Sequence, residues 1–366
     1  MKGLLIAAGL SASALAHAGH ERHMEFHHRR NDEPEQCGCT TYVSTILHEY
    51  TTTTWMSAAT PAPSPSSSPA ENGGHDSNNG GHDSNNGGYS GGFAPITNGD
   101  KWAVTYTPYQ PKPEGGCKTL DEVRNDVGTI ASMGFSTLRT YSTDCRGLEF
   151  IGQAAEEHNV KMIIGIFING GGIDASRQQL KDIVSWGKMS LVEMVVVGNE
   201  AIFNGFVTDY AALASYITEV RSTLAGIGYT GPVTTTETLN IWQKKDVAAA
   251  LCSAVDVVGA NIQPFFNPEH TAAEAGDFVA SQIEAASSIC PGKQGYNLEC
   301  GWPSQGTGSN GAAVPGESEQ RDAISSILAK AGGKSVIFSF ENDVWKHPGP
   351  MGVEQHFGVS AKNLFG

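Results

Sequence analysis

The feature that most constrains the fold is an alternation of apolar, β-rich runs with amphipathic helical patterns, which begins after Gly99. Several runs, such as Val195–Val197, are apolar throughout, as strands of a buried parallel sheet are. The predicted strands are Trp102–Tyr109, Thr137–Tyr141, Met162–Ile168, Met194–Gly198, Val233–Leu239, Val257–Gln263, Gln294–Glu299 and Val336–Phe340. The helical patterns between them include Leu120–Met133, Leu148–His158, Asp209–Ala225, Ala272–Ile289 and Glu317–Lys330.

Strand–helix units in this number predict an α/β fold, a (β/α)8 TIM barrel, which takes about 250 residues. The alternative is a doubly wound open sheet, which usually carries a Gly-rich phosphate turn after its first strand. The sequence there is Tyr106-Thr107-Pro108-Tyr109, which has no glycine. We therefore predict a barrel over residues 96–366 without a nucleotide site.

The first 18 residues have the pattern of a secretory signal peptide. Lys2 precedes an apolar stretch that ends in Ala16-His17-Ala18, so cleavage is expected before Gly19. The stretch is shorter than the roughly 20 apolar residues that span a bilayer. We predict a secreted protein of the cell wall or extracellular space without a membrane partner, in which cysteines can pair.

Two further segments precede the predicted barrel. Residues 19–50 form an arm with several histidines, Cys37, Cys39 and the pair Arg29-Arg30, which is either a processing site or solvated charge. The histidines lack a recognised ligand spacing, so no metal site is predicted. Residues 51–95 are rich in Ser, Thr, Pro, Gly and Asn, which predicts a disordered linker or an O-glycosylated stalk.

The charge balance excludes one class of partner. The chain has 23 basic and 38 acidic residues and a net charge of −15. Binding to nucleic acid needs a surplus of Lys and Arg to neutralise phosphates. We therefore expect no nucleic-acid partner.

Two carboxylates follow buried strands at positions where a TIM barrel places its catalytic groups. Glu200 comes directly after Val195–Asn199, and Glu299 lies at the end of the predicted seventh strand. Burying a carboxylate at the end of an apolar strand costs folding free energy unless the carboxylate is hydrogen-bonded, so such a residue is retained where it has a bonding partner or a function. Two of them facing one pocket predict glycoside hydrolysis, in which one carboxyl group is a proton donor with a raised pKa.

The segments Val196–Phe203 (VVGNEAIF) and Leu298–Ser304 (LECGWPS) resemble the two signatures of glycoside hydrolase family 17, the β-1,3-glucanase family. The resemblance covers the chain from about Trp102 onward. It implies that Glu200 is the acid/base and Glu299 the nucleophile of a retaining mechanism, with their carboxyl groups about 5–5.5 Å apart. It also implies that Asn199 binds the sugar hydroxyl next to the reacting carbon.

Further positions resemble those that line the cleft in this family: Tyr106, Arg139, Tyr141, Asn261 and Phe265. Trp302, just past the predicted nucleophile, is expected to form a sugar-stacking floor, with a role in the core as the alternative. The chain departs from the family pattern at Cys300, Gln263 and Phe265, and it matches the run after the eighth strand only roughly.

Other acidic and sulfur-containing residues leave alternatives open. Glu237 is either a catalytic rival or a supporting partner, and Glu341 and Asp343 either contact substrate or organise loops. For the cysteines, a Cys117–Cys145 bridge is geometrically plausible and Cys252–Cys290 is a weaker second pair. Cys300 is expected to remain a thiol.

The predicted function is hydrolysis of β-glucosidic bonds of cell-wall β-1,3-glucan, in polysaccharide degradation and wall remodelling. A β-1,3-glucanosyltransferase and a catalytically silent glucan-binding wall protein are the alternatives, although both glutamates are present, which argues against the silent protein. The sequence does not distinguish exo from endo action. We expect a monomer whose partner is a β-glucan polysaccharide or oligosaccharide, and no cofactor, because two carboxylates and water suffice.

Overall fold

The computed structural model of the chain describes residues 99–349, 351–360 and 364–365. In this part of the chain, eight parallel strands close into a barrel, and the predicted (β/α)8 fold is confirmed. The strands are β1 (Ala103–Thr105), β2 (Thr137–Arg139), β3 (Lys161–Ile166), β4 (Val192–Asn199), β5 (Val233–Thr238), β6 (Val258–Asn261), β7 (Gly295–Cys300) and β8 (Ser335–Ile337). The predicted signal peptide, arm and linker, with Arg29-Arg30, Cys37 and Cys39, lie outside the described residues.

Helices follow most of the strands. They are α1 (Leu120–Ser132), α2 (Gly147–His158), α3 (Gly172–Trp186), α4 (Tyr210–Ala225), α5 (Leu239–Trp242), α6 (Lys245–Leu251), α7 (Ala275–Ile289) and α8 (Glu317–Ala331). The start of α1 shows why a helix forms there. Thr119 and Glu122 form a capping box, which satisfies two backbone N–H groups at the first turn. Val123, Val127 and Ile130 then face the core with helical spacing.

Most strands end earlier than predicted, for example β2 at Arg139 rather than Tyr141 and β8 at Ile337 rather than Phe340. Strand β1 ends at Thr105 rather than at Tyr109, because Pro108 has no N–H to donate to a sheet. Helix α3 lies between β3 and β4, where none of the helical patterns named from the sequence falls. Leu180 and Ile183 nevertheless bury its inner face.

Apolar residues pack on both sides of the barrel wall, as the uninterrupted apolar runs predicted. The cluster made of Ala103, Ile163, Met194, Val196, Leu298 and Val336 is separate from the larger core. Alternate residues such as Val195 and Val197 belong to the larger core, which includes the buried faces of the helices. Since successive strand residues point to opposite faces, β4 buries both of its sides.

Two disulfide bonds connect segments outside the strands. Cys117 pairs with Cys145 and Cys252 with Cys290, each with Cα atoms 5.2 Å apart. Both predicted bridges are therefore confirmed. Cys300 is a buried free thiol, as expected, and burial raises its pKa well above the ordinary value.

Candidate active site

Irregular strand pairing precedes both glutamates. On β4, Val196 lies opposite Thr234, but Asn199 lies opposite Thr236, so β4 carries one residue more than β5. On β7, the pairing partners also shift by one residue immediately before Glu299. An extra residue of this kind re-aims the side chains that follow it and is common next to active sites. Glu200 and Glu299 are consequently buried at the carboxyl ends of their strands, with 5% and 6% exposure.

The backbone at Glu200 adopts an uncommon conformation. Its φ angle is 51°, in the left-handed region that costs a non-glycine residue about 1–2 kcal/mol. The Glu200 N–H donates to the Thr236 carbonyl at 2.8 Å. The next turn is held by Glu237, whose carboxylate accepts the N–H groups of Ile202 at 2.7 Å and Phe203 at 3.1 Å.

These contacts give Glu237 a structural role. The geometry therefore favours its interpretation as a supporting partner over that as a catalytic rival. It is fully buried, and burial raises its pKa to about 8, while the two backbone N–H groups act in the opposite direction. A side chain with both oxygens bonded to the backbone holds the turn that carries Glu200.

A hydrogen-bond network connects the two glutamates. The Arg139 guanidinium donates through Nη2 to Asn199 Oδ1 at 2.8 Å, and its Nη1 lies 3.5 Å from Glu299 Oε1. Asn261 Nδ2 donates to Asn199 Oδ1 at 3.2 Å and to Glu200 Oε1 at 2.9 Å. The network thus brings together five of the predicted site residues, which come from β2, β4, β6 and β7.

The Arg139 guanidinium sets the direction of the hydrogen bonds that lead through Asn199 and Asn261 to Glu200. A guanidinium can only donate, so the atom of Asn199 that faces it must be the amide oxygen. That oxygen then requires the amino group of Asn261, which in turn donates to Oε1 of Glu200. Because Oε1 already accepts this bond, the proton of a neutral Glu200 belongs on Oε2.

Electrostatics keep that proton on Glu200. Burial, together with the negative charge of Glu299, raises the pKa of Glu200 to about 8, although the Asn261 hydrogen bond acts against the rise. Glu200 therefore has the raised pKa that was expected of it from the sequence. Tyr141 lies near the other carboxylate, Glu299, and its pKa is raised as well. Burial and the Glu299 charge hold the Tyr141 pKa well above its ordinary value, so the phenol stays neutral beside Glu299.

The structure corrects the prediction for two aromatic residues. Phe265 and Trp302 were expected to contact sugar, but both are 0% exposed. Their rings pack edge to face with centroids 5.4 Å apart, and Trp302 Nε1 donates to the Val314 carbonyl at 2.9 Å. Trp302 therefore belongs to the core, and neither ring offers a face for stacking.

Tyr106 lines a small cavity between the ends of β1 and β8, together with Tyr141, Glu341 and Asp343. Its hydroxyl donates to Asp126 at 2.8 Å. Both acidic residues of this cavity are ion-paired: Glu341 contacts Lys118, and Asp343 lies 2.8 Å from Lys346. The pairing gives both carboxylates a role in organising loops, and their contact with substrate stays a prediction.

Glu354 is a buried acidic residue that was not predicted from the sequence. It lies in the segment after β8 with 8% exposure, and burial raises its pKa to about 7. The charges of Lys346, Glu299 and Asp343 also act on it. No motif identifies this residue, and only its place after the last strand would have pointed to it.

In residues 99–349, 351–360 and 364–365, no group of three or more His, Cys, Asp and Glu side chains is arranged to hold a metal ion. Within the same ranges, no helix has the length and apolar character needed to cross a membrane.

Comparisons with known proteins identify the family. The BtgE/BtgC glycoside hydrolase domain matches residues 103–358. A protein named probable beta-glucosidase btgE, from Aspergillus terreus, is 47% identical over 262 residues, which are 72% of this chain and 46% of that protein. The chain thus spans about half the length of the curated relatives it matches.

Solved structures with the same fold are more distant in sequence. An active-site mutant of the Rhizomucor miehei beta-1,3-glucanosyltransferase in complex with laminaritriose is 23% identical, with a TM-score of 0.58, and the alignment covers 70% of this chain and 92% of that one. An endo-laminarinase from Formosa is 18% identical, with a TM-score of 0.59, and covers 70% and 82%. These likenesses show the fold. The domain match and the identity to the btgE protein show more: the chain belongs to the family of the BtgE/BtgC glycoside hydrolase domain.

Proposed function

We propose that this barrel is a retaining glycosidase of glycoside hydrolase family 17 that cleaves β-glucosidic bonds of β-1,3-glucan, with glucan endo-1,3-β-glucosidase or β-glucosidase activity. The observation that carries the proposal is the buried pair of Glu200 and Glu299, which hydrogen bonds link through Asn261, Asn199 and Arg139. Burial and the Glu299 charge raise the pKa of Glu200 to about 8, as a proton donor requires. The names of the btgE relatives and of the two structural neighbours support a glucan substrate.

In this proposal Glu299 attacks the anomeric carbon while Oε2 of Glu200 gives its proton to the leaving oxygen. A glycosyl ester of Glu299 results. Glu200, now ionised, then takes a proton from water, which attacks the same carbon and releases Glu299 as a carboxylate. Arg139, whose Nη1 lies 3.5 Å from Glu299 Oε1, places a positive charge beside the group that attacks in the first step and leaves in the second.

A glucanosyltransferase is the second candidate. It would use the same residues, with a sugar hydroxyl in place of water. A cavity beside Glu200, of about 520 Å³, favours this candidate because it offers room for an acceptor. A catalytically silent glucan-binding protein fits less well, because it has no use for a carboxyl group held neutral next to a second carboxylate.

The test is product analysis on β-1,3-linked gluco-oligosaccharides of defined length. Glucose alone indicates exo action, mixed short oligomers indicate endo action, and products longer than the substrate indicate transfer. Proton NMR of the first product should show the β-anomer, whereas an initial α-anomer contradicts retention. The variant Glu299→Gln is the control, and no activity of the unaltered enzyme on any of these substrates would overturn the proposal.

We further propose that the protein is secreted and acts in the cell wall or its surroundings, on the basis of the signal-peptide pattern at residues 1–18. Fractionation of wall and medium from a producing cell tests this proposal. Retention of the uncleaved chain inside the cell would contradict it.

A further inference from the structure

A buried cation lies beside the carboxyl ends of β1 and β8. Lys118, in the loop after β1, is 4% exposed. Its ammonium is ion-paired with two carboxylates, Asp126 on α1 and Glu341 in the segment after β8. Burying an ammonium costs folding free energy unless opposite charges accompany it. Since Lys118 and Glu341 are 223 positions apart in the sequence, the contact joins the first and last parts of the barrel.

The backbone at Lys118 is held on two sides. Its N–H donates to the Pro108 carbonyl at 2.9 Å. The preceding residue, Cys117, forms the disulfide bond to Cys145 in the loop after β2. The Lys118 side chain therefore starts from a fixed point, and its ammonium in turn determines where the Glu341 carboxylate lies.

The pair of Lys118 and Asp126 also contacts the residue that follows β1. The Tyr106 hydroxyl donates to Asp126 Oδ2 at 2.8 Å. Lys118 Nζ lies 5.5 Å from the centroid of the Tyr106 ring, a distance at which an ammonium is attracted to an aromatic ring. Lys118, Asp126, Tyr106 and Glu341 thus form one cluster, which we call the Lys118 cluster.

Two members of the Lys118 cluster, Tyr106 and Glu341, line the small cavity between the ends of β1 and β8. Its volume of about 10 Å³ is room for about one water molecule. Tyr141 lines the same cavity and lies close enough to Glu299 for the Glu299 charge to raise the Tyr141 pKa. Because the cavity is so small, a displacement of Glu341 changes the surroundings of Tyr141.

We propose that Lys118 is a positioning residue for the glycosidase reaction, because it joins Asp126 to Glu341 and so fixes the cavity wall that faces Tyr141 beside Glu299. This inference rests on the proposed function. Lys118 acts through Glu341 and not on the substrate, so its removal should lower kcat while KM changes little.

The loss of activity without Lys118 should depend on pH. In Lys118→Met, Asp126 and Glu341 stay close together and repel each other when both are ionised. Burial and the charges of Asp126 and Asp343 raise the pKa of Glu341, whereas Lys118 lowers it. At low pH, Glu341 of the variant therefore keeps its proton, and the repulsion is absent. As the pH rises, Glu341 ionises, the repulsion displaces the cavity wall, and the loss of activity grows.

The test measures kcat and KM of full-chain variants on a β-1,3-linked gluco-oligosaccharide over the pH range in which the unaltered enzyme is active. Lys118→Met should lower kcat by about tenfold or more at the alkaline end and by less at the acid end, since small displacements of catalytic groups cost rate. Lys118→Arg keeps the charge and should retain most of the activity at every pH. The double variant Lys118→Met, Glu341→Gln lacks the repulsion and should recover part of the kcat lost at the alkaline end.

Lys330→Met is the matched control. Lys330 on α8 pairs with Asp277 on α7 at 2.9 Å, but both side chains are exposed, so the loss of this pair should leave kcat unaltered. If the Lys118→Met loss is the same at every pH and the double variant recovers nothing, the inference is overturned and the proposed function stands. If the unaltered enzyme cleaves no β-1,3-linked gluco-oligosaccharide, the proposed function itself fails.

Thermal unfolding at each pH shows which variants fold. If Lys118→Met does not fold, Glu341→Ala decides, because it leaves the pair of Lys118 and Asp126 in place. Glu341→Ala should lower kcat by about tenfold with KM nearly unaltered, since it removes the group that Lys118 positions. An unaltered kcat, or a rise in KM alone, would overturn the inference.

Discussion

The guanidinium of Arg139 donates to the amide oxygen of Asn199 at 2.8 Å, and this contact orients the polar groups around Glu200 and Glu299. Arginine cannot accept a hydrogen bond, so Asn199 must turn its oxygen toward it. Asn261 then presents its amino group to Asn199 and to Glu200. An always-charged residue thus determines which oxygen of Glu200 carries the proton.

Replacement of Asn261 should shift the alkaline limb of the pH–rate profile. Glu200 must be protonated to act as an acid, so kcat/KM should fall as the pH rises through its pKa, about 8. The Asn261 hydrogen bond lowers that pKa. In Asn261→Ala the alkaline limb should therefore move to higher pH. Profiles of kcat/KM for both proteins measure the shift, and a limb that moves to lower pH would show that Asn261 does not act through Glu200.

Replacement of Glu299 should abolish turnover and also change Glu200. Glu299→Gln should lower kcat by about 10³-fold or more, as loss of a nucleophile does elsewhere. Because the Glu299 charge raises the pKa of Glu200, that pKa should fall in the variant. NMR titration of labelled glutamate carboxyl groups measures it. The control is Glu284→Gln on the exposed face of α7, which should leave both quantities unaltered.

The barrel and the positions of Glu200 and Glu299 at strand ends followed from local pattern, because a buried parallel strand is apolar throughout and a carboxylate at its end is conspicuous. The extra residues in β4 and β7 could not be predicted, since they depend on how neighbouring strands pair. The burial of Trp302 depends on Phe265 and on the Val314 carbonyl, which are distant in sequence. Long-range contacts of this kind leave no local signal.

The corrected role of Trp302 gives a third prediction. Trp302→Phe removes the hydrogen bond to Val314 and leaves space in the core, which should cost about 1–3 kcal/mol of unfolding free energy. The fully buried ring does not reach substrate, so KM for glucan oligosaccharides should change little. Urea unfolding and steady-state kinetics measure the two effects. A large rise in KM with unaltered stability would restore the stacking role.

The Cys117–Cys145 bridge should stabilise the loops after β1 and β2. It closes a loop of 28 residues, for which the loss of chain entropy in the unfolded state predicts about 3–4 kcal/mol. The double variant Cys117→Ser, Cys145→Ser should therefore unfold at lower urea concentration. The matched comparison is Cys252→Ser, Cys290→Ser, whose bridge spans 38 residues and should contribute slightly more. Equal midpoints for all three proteins would contradict the entropic account.

Neutralising Glu200 should stabilise the fold, and the gain should depend on pH. Folding raises its pKa from the ordinary value of 4.5 to about 8, so the unfolded chain loses the proton first as the pH rises. Below pH 4.5 the Glu200 carboxyl is neutral in both the folded and the unfolded state, so its burial places no charge inside the folded protein. Between pH 4.5 and 8 the unfolded state becomes progressively more favourable, by an amount on the order of a few kcal/mol.

Glu200→Gln removes this titration while keeping the size and shape of the side chain. Its unfolding free energy should match that of the unaltered protein near pH 4 and exceed it increasingly up to about pH 8. Urea unfolding at a series of pH values gives the difference directly, and Glu284→Gln, at an exposed position, should show none of it. A difference that is constant with pH would mean that Glu200 does not keep its proton in the folded protein.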